Sequence, residues 1–145
     1  ERFSTVRDCT LALNDFRRIL VKRDKLIDYK DVIKRCENAR KFICSTLNKT
    51  TGKTIVITHH APFFEHLSNI SHAFGINLDS SLCRLKHFPD YWIYGHTHVN
   101  KDKILKYKNG EIKCITNQFG YKGESDYGSQ FDAWKTFDSN KMIEL

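Results

Sequence analysis

The pattern of apolar and polar positions predicts regular structure from residue 31 onward, whereas the first thirty residues fit no single period. Across residues 31–47, apolar side chains recur every three or four positions, as on one face of an amphipathic helix. We expect Asp31 to cap this helix and the segment 48–52 (NKTTG) to end it. The stripe that would face the core consists of Val32, Cys36, Ala39, Ile43 and Leu47.

Two short apolar runs predict buried strands. Residues 53–58 (KTIVIT) form a continuous β-branched run, which is typical of a central strand covered on both faces. Residues 91–94 (YWIY) predict a second buried strand. A short amphipathic helix is expected between the two strands, and its apolar positions are Leu78, Leu82 and Leu85.

The last third of the chain predicts antiparallel hairpins. Asn109 and Gly110 lie between the runs 102–107 and 111–116, and Asn-Gly supplies the two positive φ angles of a type I′ turn. A second hairpin is expected to join residues 134–137 to 142–145. The order of helix, strand, helix, strand and hairpins indicates an α/β fold with a mixed sheet in a single domain.

Composition excludes several classes of protein. Hydrophobic residues make up 40% of the chain and charged residues 28%, which fits a folded globular protein and not a disordered segment. No apolar run approaches the roughly 20 residues of a membrane helix. The N-terminal residues have no apolar stretch, so we expect no signal peptide there. The five cysteines are odd in number and lack C-x-x-C spacing, so we expect reduced, mostly buried thiols in a cytoplasmic protein.

The net charge of +7 favours anionic partners, which include phosphate esters and nucleic acids. The densest basic stretch, residues 17–25 (RRILVKRDK), has no aromatic residues between its charges. We therefore predict a solvated face here and not a nucleic-acid site. Nucleic acid is expected, if at all, only as a substrate.

Four of the seven histidines occur in two clusters, VITHHAP at residues 56–62 and YGHTH at residues 94–98, and each cluster follows a predicted strand. Ligands of open α/β sheets gather at the carboxyl ends of strands, so neighbouring strands would bring His59 and His96 together. A bend after Gly95 would let His96 and His98 serve two adjacent cations. The alternative is that these histidines are ordinary polar residues at the rim of a sheet.

The two clusters, in this order, resemble the late motifs of the calcineurin-like metallophosphoesterases. Further similarity lies in four flanking segments and extends over most of residues 11–145; these segments are 26–33, 73–82, 89–98 and 117–121. The resemblance implies a β-sandwich flanked by helices and two divalent metal ions, which could be Mn, Fe, Zn or Ni. It also implies hydrolysis of phosphate mono- or diesters by a hydroxide that two metals activate.

The resemblance also implies roles for individual residues. His59 and His96 would bind the second metal, and His98 would bind the first. His60 would lie near the substrate or hold a neighbouring ligand by a hydrogen bond. Asn117 would shape the loop beside the site and contact the substrate, and the alternative is an ordinary asparagine at the end of a strand. Related proteins more often have N-P-x-G-Y where this chain has residues 117–121 (NQFGY). The remaining histidines match no motif and are expected to be surface or packing residues; they are His66, His72 and His87.

The early motifs of the family are absent from the chain, which contains no D-x-H and no G-N-H. These motifs supply two aspartates, an asparagine ligand and a further histidine. Residues 1–145 would thus form the C-terminal part of the family's domain, an incomplete sandwich that lacks the N-terminal metal-binding motifs. The chain also lacks an initiating methionine, so we expect it to be a fragment of a phosphoesterase that has little activity alone.

Two other functions stay open on the sequence. The chain could be a non-catalytic half-domain or degenerate relative that acts as an interaction module, and upstream coding sequence would distinguish this from the enzyme. A basic nucleic-acid binder would show strongly salt-dependent binding, although the chain contains no recognised binding motif.

Overall fold

A computed structural model describes residues 2–64, 77–121 and 133–145 of the chain. These residues form helices and strands in mixed order, which confirms the predicted α/β class. The elements are α1 (Arg2–Ala12), α2 (Asp15–Arg18), β1 (Leu20–Lys22), β2 (Lys25–Leu26), α3 (Tyr29–Leu47), β3 (Ile55–Ile57), α4 (Asp79–Leu82), β4 (Tyr91–Ile93), β5 (Lys103–Tyr107), β6 (Gly110–Ile115) and α5 (Ala133–Thr136).

The main sheet has four strands in the order β3-β4-β6-β5. β3 runs parallel to β4, with Ile57 opposite Ile93, and β4 runs parallel to β6, with Ile93 opposite Ile115. β5 is antiparallel to β6. The predicted mixed sheet is therefore confirmed, and three parallel strands end at the same edge of it. A separate two-stranded antiparallel ribbon joins β1 to β2.

The position of β3 in the sheet corrects the sequence prediction. Within the described part of the chain β3 pairs with β4 alone, and so it is an edge strand and not a central one. The side chain of Ile57 is 74% exposed. A β-branched run indicates that a strand can be covered on both faces, but it does not indicate how many strands pair with it.

The long helix α3 is confirmed, but it begins earlier than predicted. Asp28 is the N-cap, and its carboxylate accepts a hydrogen bond of 2.9 Å from the backbone N–H of Asp31. The Asp31 carboxylate in turn accepts one of 3.3 Å from the N–H of Asp28, which completes a reciprocal capping box. Of the predicted stripe only the C-terminal end is fully buried, since Leu47 is 2% exposed whereas Val32 is 41% exposed.

The hairpin of β5 and β6 is confirmed, but its turn differs from the prediction. Tyr107 pairs with Gly110, so the loop consists of Lys108 and Asn109, and neither Asn109 nor Gly110 has a positive φ angle. The glycine serves a different purpose, because a Cβ atom at Gly110 would lie 2.9 Å from Cδ2 of Phe88. The close approach of that ring, and not the turn type, requires glycine here.

The predicted second hairpin is wrong. Residues 133–136 form the short helix α5, and residues 142–145 form no strand. The amide of Asn100 donates to the carbonyl of Ala133 and lies 3.2 Å from the Thr136 hydroxyl, so a tertiary contact holds the helical turn. Segments of four residues were too short a pattern to predict this outcome from sequence.

The core packs α3 and the segments around α4 against the sheet. Trp92 on β4 and Ile112 on β6 are at most 1% exposed, and the three predicted leucines are buried although α4 has only four residues. Among the described residues the buried cluster consists of Leu47, Ala61, Phe63, Leu78, Leu82, Leu85, Trp92, Tyr94, Ile112 and Cys114.

Surface features agree only in part with the sequence predictions. The basic stretch 17–25 is largely exposed across α2 and the β1–β2 ribbon, as predicted. All five cysteines are thiols, but only Cys114 is buried, so the expectation of mostly buried thiols is wrong. Burial raises the pKa of Cys114 to about 12. None of the described helices combines the length and apolar character needed to cross a lipid bilayer.

Candidate metal centre

The hydrogen-bond ladder between β3 and β4 continues past both strand ends and sets the positions of two histidines. The backbone N–H of Thr58 donates to the carbonyl of Ile93, and that of Gly95 donates to the carbonyl of His59, each at 3.0 Å. His59 and His96 therefore emerge side by side at the carboxyl ends of parallel strands. The sequence prediction that these two residues converge is correct.

Thr58 fixes the other histidine of the first motif. Its hydroxyl donates to the carbonyl of His60 at 2.6 Å and accepts from the indole N–H of Trp92 at 2.8 Å. Because Trp92 is 1% exposed, this hydroxyl is held by the core. The backbone turn that carries His60 is thereby tied to β4.

Three imidazoles meet at this edge, and we call His59, His60 and His96 the histidine cluster. Nε2 of His59 lies 2.8 Å from Nδ1 of His96, so one ring donates a hydrogen bond to the other. The ring of His60 lies 4.6 Å from that of His96 and 5.1 Å from that of His59, measured between centroids. One nitrogen from each ring falls within 4.8 Å of the other two, which is a geometry that could hold a cation.

The segment 95–99, which we call the histidine loop, has a strained backbone. His96 and His98 have φ angles of 69° and 50°, in the left-handed region that non-glycine residues rarely adopt. Such a conformation costs roughly 1–3 kcal/mol per residue and concentrates at functional sites. The predicted bend after Gly95 exists, but the histidines themselves, and not Gly95, adopt the positive φ angles.

His98 has contacts of its own outside the three-ring group. Its backbone N–H donates to Oε1 of Gln118 at 2.9 Å, and its ring packs edge to face against Tyr121 with centroids 4.9 Å apart. The three-nitrogen group found among the described residues does not include it. The resemblance assigns His98 to a different cation from His59 and His96, and that assignment stays a prediction.

The cluster favours neutral imidazoles. Burial, followed by the charges that His60, His59 and His98 would carry, lowers the pKa of His96 to about 4. Burial and then His59 likewise lower the pKa of His60, and the carboxylate of Asp15 on α2 partly opposes the lowering at both residues. At neutral pH His60 and His96 therefore keep the unprotonated nitrogen that a metal ligand requires.

The donor set fits one divalent cation better than two. Zn–N distances of about 2.0–2.1 Å place two ligands of a tetrahedral ion about 3.4 Å apart, so His59 and His96 need to separate by only about 0.6 Å. Three protein nitrogens leave a fourth position open, as in catalytic zinc sites. Among the described residues, however, no carboxylate joins the group, and neutral rings do nothing to offset the repulsion between two cations.

Gln118 is the residue that sequence analysis missed. Its side-chain amide contacts Thr97, His98 and Val99 in the histidine loop. The sequence already showed glutamine at the position where N-P-x-G-Y has proline. Proline could make none of these contacts, so this difference was the available signal.

The other predicted residues have ordinary surroundings. Both ends of the Asn117 amide pair with the backbone of Asp138, at 2.7 Å and 3.0 Å, so this side chain fastens its loop to the C-terminal segment. Contact between Asn117 and a substrate stays a prediction. His87 lies 3.1 Å from the carbonyl of Gly52 and fits the predicted packing role, whereas His66 and His72 lie outside the described residues.

Comparison with known proteins adds no further assignment. A scan against family models, a search of curated proteins and a search of solved structures each found no match to this chain.

Proposed function

We propose that this chain carries the histidine half of a metal-dependent phosphoesterase centre, in the C-terminal part of a metallophosphoesterase sandwich. The 2.8 Å contact between Nε2 of His59 and Nδ1 of His96 carries the proposal. The sequence motifs assign these two residues to the same ion. Their meeting at the ends of adjacent parallel strands is what a shared ion requires.

The residues of the cluster would bind and orient a divalent cation. When bound, such a cation supplies a Lewis acid and a water molecule of lowered pKa. His59 and His96 offer nitrogens already in contact, and His60 lies beside both as a third ligand or as a group facing the substrate. The low pKa of His96 keeps this ring neutral at the pH where phosphate esters are dianions or monoanions.

Charge supports a phosphate ester as the substrate. The chain has a net charge of +7, which raises the local concentration of anions. Carboxylate ligands from outside the described residues would complete the centre, and His98 would then serve a second cation. In the absence of those carboxylates we expect one ion to bind weakly, because three neutral nitrogens stabilise a dication less than a set that includes carboxylates.

The test compares the chain of 145 residues with a longer form that includes any natural upstream segment. Isothermal titration with Mn²⁺ and Zn²⁺ is expected to give weak binding of one ion to the shorter form and tight binding of two ions to the longer form. Hydrolysis of a chromogenic phosphate ester is expected only from the longer form with Mn²⁺. His87→Ala is the matched control, since it removes a histidine outside the cluster and should leave binding unchanged.

Two results would count against the proposal in different ways. If neither form binds a divalent cation, the metal site itself is refuted. If the longer form binds two ions and hydrolyses no phosphomonoester or phosphodiester, the site exists but the enzymatic function is refuted.

A non-catalytic interaction module is the second candidate, and the exposure of β3 favours it. In the described part of the chain β3 pairs on one side only, and Ile57 is 74% exposed. An unpaired strand edge is a template for pairing with another chain. A stable complex with a second protein, combined with absence of hydrolysis by the longer form, would support this function over the first.

A further inference from the structure

We propose that Gln118 is a positioning residue, which holds the histidine loop in its left-handed shape and thereby sets His96 against His59. The inference rests on the proposed metal site for its consequence. The contact that it explains, however, can be measured without a metal. Gln118 contacts Thr97, His98 and Val99, so its effect on His96 is exerted through the backbone of the loop.

Both ends of the Gln118 amide are used by the loop. Oε1 accepts a hydrogen bond of 2.9 Å from the backbone N–H of His98, and Nε2 donates to the carbonyl of Val99 at 3.1 Å. Nε2 also donates to the hydroxyl of Thr97 at 2.9 Å. One side chain thus contacts the three residues that directly follow His96.

Gln118 is itself fixed to the sheet. Nε2 lies 2.7 Å from the hydroxyl of Thr116, which directly follows β6 and has no exposed surface. The backbone N–H of Gln118 donates to Oδ1 of Asn100 at 2.6 Å, and Nδ2 of Asn100 donates back to the carbonyl of Gln118 at 2.8 Å. The amide of Asn100 also donates to the carbonyl of Ala133 in α5. The loop is therefore braced from β6 and α5.

This bracing accounts for two adjacent features of the loop. His96 and His98 adopt positive φ angles that side chains normally avoid, and such conformations persist only where the surroundings over-determine them. Gln118 accepts a hydrogen bond from the N–H of His98, which is one of the strained residues. It donates one to the carbonyl of Val99, the residue that follows His98. A relaxed loop would turn the ring of His96 away from Nε2 of His59 and open the cluster.

The test uses two variants and one control. Gln118→Leu keeps the approximate size and removes both polar ends, whereas Gln118→Asn keeps the amide but is one carbon too short to reach all its partners. The control is Asn48→Leu, because the side chain of Asn48 also accepts a hydrogen bond from a distant backbone N–H, that of Lys86, away from the cluster. Circular dichroism checks that each variant is folded.

The first readout is the His59–His96 contact in the metal-free protein, measured by long-range ¹H–¹⁵N NMR of the imidazole nitrogens. A ring–ring hydrogen bond fixes one tautomer on each ring, so the unaltered protein and Asn48→Leu should show fixed tautomers. Gln118→Leu should show tautomer averaging at His96. A residue that merely stabilised the fold would leave this signature unchanged in a folded variant.

The second readout is affinity for Zn²⁺, measured by isothermal titration. Loss of an outer partner of a metal ligand typically costs about 10- to 100-fold in affinity, and we expect a loss of this size for Gln118→Leu. Gln118→Asn should fall between Gln118→Leu and the unaltered protein, and Asn48→Leu should stay within about twofold of the unaltered protein.

Each outcome decides the inference. If Gln118→Leu is folded and keeps fixed tautomers with affinity within about twofold, the role of Gln118 is refuted. If that variant does not fold, Gln118→Asn decides, and averaged tautomers support the role whereas fixed tautomers refute it. If the unaltered protein binds no Zn²⁺, the metal site fails, and the NMR readout alone still judges the position of His96.

Discussion

The two ends of strands β3 and β4 place polar side chains in opposite kinds of environment. At the amino end, the carboxylate of Asp90 accepts hydrogen bonds of 2.8 Å from the backbone N–H of Thr54 and of 3.3 Å from Nζ of Lys53. His87 lies at the same end, with its ring against the carbonyl of Gly52. At the carboxyl end, the rings of the histidine cluster contact one another.

This difference separates a structural use of polar residues from a ligand-binding one. At the amino end each group has a backbone partner or an opposite charge, and the N–H of Thr54, followed by Lys53, lowers the pKa of Asp90. At the carboxyl end the imidazoles compete for protons, and burial with their mutual repulsion lowers the pKa of His96 to about 4. Neutral imidazoles grouped in this way are ligands that a divalent cation could bind.

Replacement of His96 should give the largest difference in Zn²⁺ affinity between variants at the two ends of the strands. We expect His96→Ala to lower Zn²⁺ affinity by more than about 100-fold, since removal of a direct ligand exceeds the roughly 10- to 100-fold cost of losing an outer partner. His87→Ala, at the amino end, should change affinity by less than about twofold. Isothermal titration of both variants makes the measurement. Equal losses at the two ends would remove the distinction between them.

Comparison of His60 with His98 sharpens the boundary of the carboxyl-end site. Because a nitrogen of His60 lies within 4.8 Å of one nitrogen each from His59 and His96, His60→Ala should lower the affinity for the Zn²⁺ ion at the histidine cluster by about 10-fold or more. His98→Ala should have a smaller effect on this ion, since the His98 ring packs against Tyr121. A larger loss for His98→Ala than for His60→Ala would show that His98, and not His60, is the third ligand of this ion.

The two ends should also differ in how protons affect stability, which is the smallest effect. Above pH 6.5 His96 is neutral whether folded or unfolded and contributes nothing to the pH dependence. Between 6.5 and about 4 the unfolded residue takes up a proton that the folded one does not, so the metal-free protein should lose stability as pH falls. Asp90 contributes later, because its stabilisation is lost only as pH falls below its ordinary value of 3.8.

Thermal melts across this range measure the effect, and His96→Ala is the matched variant. Its melting temperature should depend less on pH between 6.5 and 4 than that of the unaltered protein. Identical slopes for the two proteins in this window would show that His96 is not the residue responsible. An NMR titration of the imidazole protons assigns the change directly.

Long-period and strongly β-branched patterns allowed much of the fold to be predicted from sequence. α3 and β4 occur where apolar spacing placed them, and the β5–β6 hairpin occurs where the Asn-Gly signal placed it. The convergence of His59 and His96 was also predictable, because it follows from two adjacent parallel strands.

The failures have a common physical origin in contacts that are distant in sequence. The edge position of β3 depends on which strands pair with it, and α5 replaces a predicted strand because Asn100 bonds to Ala133 and Thr136. Likewise, the close approach of the Phe88 ring, and not the conformation of the turn, requires glycine at Gly110. Short patterns report local preference, and these three positions are decided by tertiary contacts.

The same limit applied to the site. The motifs identified His59 and His96, but they gave His60 a lesser part, and they gave no indication that Gln118 contacts the loop. His60 enters the cluster through a turn that Thr58 and Trp92 hold, and Gln118 reaches the loop across twenty residues of sequence. Neither arrangement follows from spacing along the chain.

The hydrogen bond from the N–H of Gly95 to the carbonyl of His59 has a mechanical consequence. This backbone hydrogen bond joins the two histidine-bearing segments, so neither segment can move without displacing the other. Insertion or deletion of a single residue in either segment would shift the register between the two segments and separate the rings of His59 and His96. Changes in chain length should therefore be tolerated far less in these two segments than in the surface connections.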